Sequence, residues 1–135
     1  MNDLVEKPEH YVADRVIEIT DLIEDWGVGW HLGNVLKYVS RAGRKGPVID
    51  DLKKARWYLT RKIIHLQSTG DDDGRPADRA VVDAATVIAD WRLQSHLAAV
   101  VDCMYARRTL DVHMLVEAIG FLDQRIAVIE DVGDE

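Results

Sequence analysis

Apolar residues recur at three- and four-residue steps along nearly the whole chain, the spacing of helices that bury one face. Val16, Ile19, Leu22, Ile23 and Trp26 predict an amphipathic helix over about residues 14–26, ended by Gly27 and Gly29. Leu32, Val35, Leu36 and Val39 predict a second helix over about residues 30–41. Gly43, Gly46 and Pro47 make a loop. Asp50 or Asp51 is then placed to cap a third helix, with Leu52, Ala55, Leu59, Ile63 and Leu66 as its stripe. The run from Ser68 to Pro76 reads as a solvated loop, its three aspartates included. Beyond it, Val81, Val82, Ala85, Val87, Ile88 and Trp91, then Leu93, Leu97, Val100, Val101 and Met104, read as one long helix or two consecutive ones. Asp111 begins a last helix carrying Leu115, Ile119, Leu122, Ile126 and Ile129. Strand alternation is nearly absent and no internal repeat is evident. The expected fold is all-α, a compact bundle of about five helices in three parts. Residues 1–68 form a helical domain with a basic motif, 69–76 a loop, and 77–135 a helical extension that packs on the domain or forms an oligomer interface.

The chain has 135 residues, enough for one compact domain with a real core. Trp91, Leu93, Leu97, Met114 and Phe121 offer more apolar surface than two or three helices hide easily, so a homo-oligomer is expected. The single cysteine, Cys103, excludes an intramolecular disulfide and fits a reducing compartment; beside Val100 and Val101 it reads as core. No apolar run approaches 18 residues and residues 1–11 carry no signal-peptide core, so a cytoplasmic protein without a membrane partner is expected.

Charge changes the picture more. Residues 31–62 hold nine Lys or Arg and two acids, in a chain whose formal net charge is −7. Such segregation suits an anionic ligand at one place, whereas the acidic balance opposes general or sequence-specific nucleic-acid binding. The plain alternative is a solvated helix face.

Lys37 and Arg41 share one helical face, and Arg44 and Lys45 follow between Gly43 and Gly46, whose backbone freedom lets amides turn toward one ligand. Pro47 stiffens the exit, and the start of the third helix, with its partial positive charge, carries Lys53, Lys54 and Arg56. Tyr38, Trp57 and Tyr58 sit among these cations as stacking surfaces for a base, or as core; Asn34 is a hydrogen-bonder for a base or phosphate, or a bridge between helices. The phosphate loop of ordinary kinases is absent, and without HExxH or paired CxxC zinc is not expected, nor is haem or flavin. Glu18, Asp21 and Asp25, with Asp83 and Asp90 from another helix, have the spacing of a helical nucleotide pyrophosphohydrolase, or of a solvated acidic face. His10 and His31 are open to a catalytic role; His65, His96 and His113 read as ordinary helix residues.

Four segments taken together, Pro8 to Tyr11, Ile17 to Asp21, Gly33 to Gly46 and Asp51 to Leu59, resemble a short domain common in tailed bacteriophages. Its string GN-x-x-KY-x-x-RAG-x-KG, then DL-x-KA-x-x-YL, covers about residues 6–66. The resemblance picks out His10, Tyr11, Glu18, Gly33, Asn34, Lys37, Tyr38, Arg41, Gly43, Lys45, Asp51, Lys54 and Tyr58. Where the family has a glycine stretch after the His-Tyr pair, this chain has Ala13-Asp14-Arg15. The family includes a small nucleotide kinase without a Walker A loop that phosphorylates deoxynucleoside monophosphates. The resemblance thus implies a phage deoxynucleotide-handling protein acting in the cytoplasm of an infected bacterium, most concretely such a kinase. Lys37 and Arg41 would act at the transferred phosphoryl group, with Arg44, Lys45, Lys54, Gly43 and Gly46 on phosphates. Asn34, Tyr38, His10, Tyr11 and Tyr58 would hold base and sugar. Magnesium would accompany the nucleotide, with Glu18 or Asp51 as candidate ligands. The alternatives are a non-catalytic protein that sequesters a nucleotide, and the pyrophosphohydrolase.

Overall fold

A computed structural model describes residues 16–70, 80–105 and 112–132. Among them are six helices and no strand: α1 (Ile19–Trp26), α2 (Trp30–Arg41), α3 (Val48–Thr69), α4 (Ala84–Trp91), α5 (Ser95–Tyr105) and α6 (Val112–Asp131). The stretch read as one or two helices is two, and Arg92 separates them with a left-handed backbone, φ 60°. His10, Tyr11 and Asp111 lie outside the described residues, as do residues 71–76 of the expected loop.

α1 starts later than its apolar period predicts. The amides of Val16 and Ile17 donate to the Asp90 carboxylate at 3.0 and 2.8 Å, which holds this stretch out of the helix. α1 ends on Gly27, whose φ of 65° no other residue adopts as easily and whose amide donates to the Ile23 carbonyl. Gly33 lets α1 lie close on α2, since a Cβ there would stand 3.3 Å from Ile23 Cδ1. α2 has the predicted bounds and buries Leu32, Val35, Leu36 and Val39. α3 starts at Val48 behind Pro47 rather than at an aspartate cap. Asp50 and Asp51 instead lie in its first turn, where carboxylates balance the helix dipole.

The two halves prove to be copies of one design, contrary to the reading that no repeat is present. At a shift of 65 positions, residues 16–26 lie over 81–91 and residues 30–40 over 95–105. Asp25-Trp26 and Asp90-Trp91 end two helices of eight residues each. His31-Leu32 and His96-Leu97 open the next pair, in which Val35 and Leu36 correspond to Val100 and Val101. At a shift of 63, Leu52, Ala55 and Leu59 of α3 lie over Leu115, Ala118 and Leu122 of α6, all six fully buried. The hydrogen bonds repeat as well. Asp25 accepts from the amides of Val81 and Val82, and Asp90 from those of Val16 and Ile17. Trp26 Nε1 donates to the Val82 carbonyl at 2.8 Å, and Trp91 Nε1 to the Ile17 carbonyl at 3.0 Å. Each copy thus grips the lead-in of the other with the same Asp-Trp pair. Reciprocal contacts of this kind define a two-fold arrangement. α3 packs on α2 within its own copy and on α6 across the interface, and α6 packs on α5.

One continuous core therefore runs through both halves, from Leu22 and Trp26 to Leu122 and Ile129. Residues 80–105 and 112–132 pack on the first unit as its counterpart. The apolar residues that suggested association are largely consumed by this packing. Trp91 is fully buried, and Leu93, Leu97, Met114 and Phe121 lie against the core. Cys103 is buried too, and that burial, reinforced by Glu117 and Asp102, pushes its thiol up to about 11. No described helix is long and apolar enough to cross a membrane.

Candidate functional site

Trp30, Asn34, Lys37, Tyr38 and Arg41 repeat every three or four residues on the outer face of α2, and Lys54, Trp57, Tyr58 and Arg61 do the same on α3. Packing the two helices together makes one surface of these residues. The Tyr38 ring is its centre. Lys37 Nζ lies 5.3 Å, Lys54 Nζ 5.5 Å and the Arg41 guanidinium 5.8 Å from the ring centroid. Tyr58 stacks on Tyr38 with centroids 6.0 Å apart and planes 15° from parallel. Trp30 and Trp57 each meet Tyr58 edge-on. They are 68% and 56% exposed, so they are aromatic surface and not core. Asn34 shares the face, its side-chain nitrogen donating to the Trp30 carbonyl at 2.9 Å.

Beneath the cations lies Asp51, only 3% exposed. Its Oδ1 is 3.4 Å from Arg41 Nε, and its Oδ2 accepts no hydrogen bond among the described residues. Burial raises the Asp51 carboxyl above the usual range, while Arg41 and then Lys54 draw it back. A carboxyl raised in the fold binds its proton more tightly there than in the unfolded chain. Stability therefore falls as pH climbs from the unfolded value of about 4 through the raised folded one. Asp51→Asn is expected to gain stability relative to the native chain over that rise. Urea midpoints across a pH series measure it, and a pH-independent difference would contradict the assignment.

The remaining cations have other partners. Arg56 binds Asp123 at 2.6 Å and Lys53 faces Glu130 at 3.5 Å, both across the α3–α6 contact, while Lys62 is only 1% exposed. Two of the nine cations read from the sequence, Lys53 and Arg56, thus complement acids of the neighbouring helix. Arg44 and Gly43 turn away from Lys37 and Arg41. The Arg44 Nη2 donates to the Trp91 carbonyl at 3.0 Å, and both residues line a cleft against the α4–α5 turn. Lys45 and Gly46 are exposed in the loop, with φ 78° at Gly46. Of the expected phosphate set, only Lys54 joins Lys37 and Arg41 around Tyr38.

Three of the five acids in the pyrophosphohydrolase reading, Asp25, Asp83 and Asp90, hold the fold together. Asp25 and Asp90 hold backbone amides, and Asp83 caps α4, accepting from the Thr86 hydroxyl at 2.7 Å and the Thr86 amide at 2.9 Å, bonds that lower its carboxyl. Glu18 precedes α1 without capping it. Among the described residues no group of three or more His, Cys, Asp or Glu is placed to hold a metal ion. His31 and His65 bring their rings to 5.7 Å, a pairing that sequence reading did not anticipate. It also missed Trp30 as a site residue, although the four-residue step to Asn34 and the further three to Lys37 carried the signal.

The fold and face define an all-helical, internally duplicated protein with a cation-and-aromatic surface on its first copy. Residues 5–60 match the model of a family described as a protein of unknown function, DUF3310. The match ends within α3, so the second copy lies outside it. No curated protein and no solved structure matches the chain.

Proposed function

We propose that the α2–α3 face binds a deoxynucleotide and that the chain is a phosphotransferase acting on deoxynucleoside monophosphates. The observation that carries the reading is the gathering of Lys37, Arg41 and Lys54 around one tyrosine ring beside two exposed tryptophans. Ammonium and guanidinium groups neutralise phosphate oxygens, and aromatic faces stack a base whatever its identity. The second copy is an internal contrast. Its counterparts of Lys37, Tyr38, Lys54 and Trp57 are Asp102, Cys103, Glu117 and Gly120, on the same helical framework.

In this reading Lys37 and Lys54 hold phosphate oxygens, and Asp51 keeps the Arg41 guanidinium directed at the same place. Tyr58 and the exposed tryptophans hold the base. Phosphoryl transfer demands positioning and charge neutralisation above all, and an acceptor phosphate needs no strong base. One buried carboxylate that already faces a guanidinium does not suit a resident metal, so magnesium belongs to the triphosphate substrate. The test is incubation with ATP, magnesium and each deoxynucleoside monophosphate. Formation of the diphosphate is the expected outcome. Tight binding without turnover would replace the enzyme by a nucleotide-sequestering protein, and loss of diphosphate from a triphosphate would point to hydrolysis instead.

A further inference from the structure

The duplication exposes an arginine where the design calls for glycine. Gly27 and Arg92 occupy the same position in the two copies and both end their helices with a left-handed backbone, φ 65° and 60°. Glycine takes this conformation freely, and an L side chain is strained in it. The first copy therefore shows that the turn needs no side chain, and the side chain of Arg92 calls for another reason. It lines a cleft of about 270 Å³ together with Arg44 and Arg125. Arg125 stands where the first copy has the buried Lys62. Arg44 is anchored by its bond to the Trp91 carbonyl. No Asp or Glu lines the cleft among the described residues, and neither Arg92 nor Arg125 has a side-chain hydrogen bond or ion pair among them.

Arg92 and Arg125 put two cations on the wall of one cleft that no described acid lines, and their mutual repulsion is relieved when an anion joins them. We propose that this cleft is a second anion site that takes the phosphate group of a small phosphorylated molecule. A phosphate monoester offers three terminal oxygens and up to two negative charges, which matches several guanidinium forks better than a single carboxylate does. The volume falls just below the roughly 300 Å³ at which sites begin to enclose whole drug-sized ligands. The cleft thus takes the phosphate end, and Leu93 and Leu97 on its wall meet the adjoining organic part. This site stands apart from the Tyr38 face and does not depend on what that face binds.

Arginine Nε–Hε resonances of the full chain, followed while inorganic phosphate is added at constant ionic strength, test the proposal. Arg44, Arg92 and Arg125 are expected to shift along one saturating curve, and acetate to produce no such curve. Arg92→Gly is expected to raise the melting temperature by relieving the strained turn, yet weaken phosphate binding about tenfold or more. A purely structural arginine would not combine those two effects. Arg125→Gln is expected to weaken binding similarly; should it fail to fold, Arg92→Gly carries the test alone. Lys37→Ala leaves the curve in place, so failure of the nucleotide reading and failure of this one are told apart. Absence of saturation at the three arginines, an adventitious response shared equally by acetate, or unchanged affinity in Arg92→Gly each overturns it.

Discussion

Replacing Lys37 and Lys54 together with alanine is expected to weaken the binding of a deoxynucleoside monophosphate by roughly two orders of magnitude or more, while the melting temperature stays nearly unchanged. Each lost charge-assisted hydrogen bond is worth about 1.5–3 kcal/mol, and 1.4 kcal/mol is a factor of ten. Both lysines are exposed and rest over Tyr38 without an ion-pair partner among the described residues, so little of the fold leans on them. Arg41 offers no such separation. Its removal takes the nearest cation from the buried Asp51 carboxylate, so an Arg41 variant changes stability together with binding. Lys37 and Arg41 look equivalent in the sequence, and the structure makes only the first a clean probe of binding. Calorimetric titration of the double variant reads the effect, and native affinity in the variant would contradict it.

Trp26→Ala is expected to lower unfolding stability by about 3–5 kcal/mol, a large fraction of the roughly 5–15 kcal/mol that holds a typical domain. The ring is completely buried and lies 5.1 Å from Tyr105 of α5, and its Nε1 serves the Val82 carbonyl. Truncation opens a cavity, orphans that carbonyl and loosens one of the two reciprocal clasps between the copies. Urea denaturation of the variant measures this. A loss below about 1 kcal/mol would mean that the Asp-Trp pairs do not join the halves, because surface substitutions already reach half that size.

Why some of this was readable from sequence and some not follows from where each residue's energy comes from. α2 was legible to the residue, because its buried stripe, its glycine entry and its basic end all agree. α1 was misjudged at its start. The local period continues through Val16 and Ile17, but a carboxylate seventy-odd positions away takes their amides. The repeat escaped notice for a similar reason. Its identities are sparse, and the shift changes from 65 to 63 between the second and third helices of each copy, so it emerges only when helix registers are known. In the site, Lys37, Tyr38, Arg41, Lys54 and Tyr58 were found by helical spacing and resemblance. Arg44 was grouped with them by proximity in sequence, but the turn at Gly43, φ 82°, sends it to the opposite cleft. Arg92 and Arg125 carried no local signal, because an arginine beside a core tryptophan or leucine is an ordinary boundary residue.

The proposed activity requires the nucleotide to lie across Tyr38 and Tyr58. Titration of a deoxynucleoside monophosphate into the full chain, followed at each backbone amide and aromatic ring, decides the matter. Saturable shifts are expected at Trp30, Lys37, Tyr38, Lys54, Trp57 and Tyr58, with the corresponding positions of the second copy unmoved. Shifts spread over both copies alike, or none at the Tyr38 face at saturating nucleotide, would contradict the proposed activity.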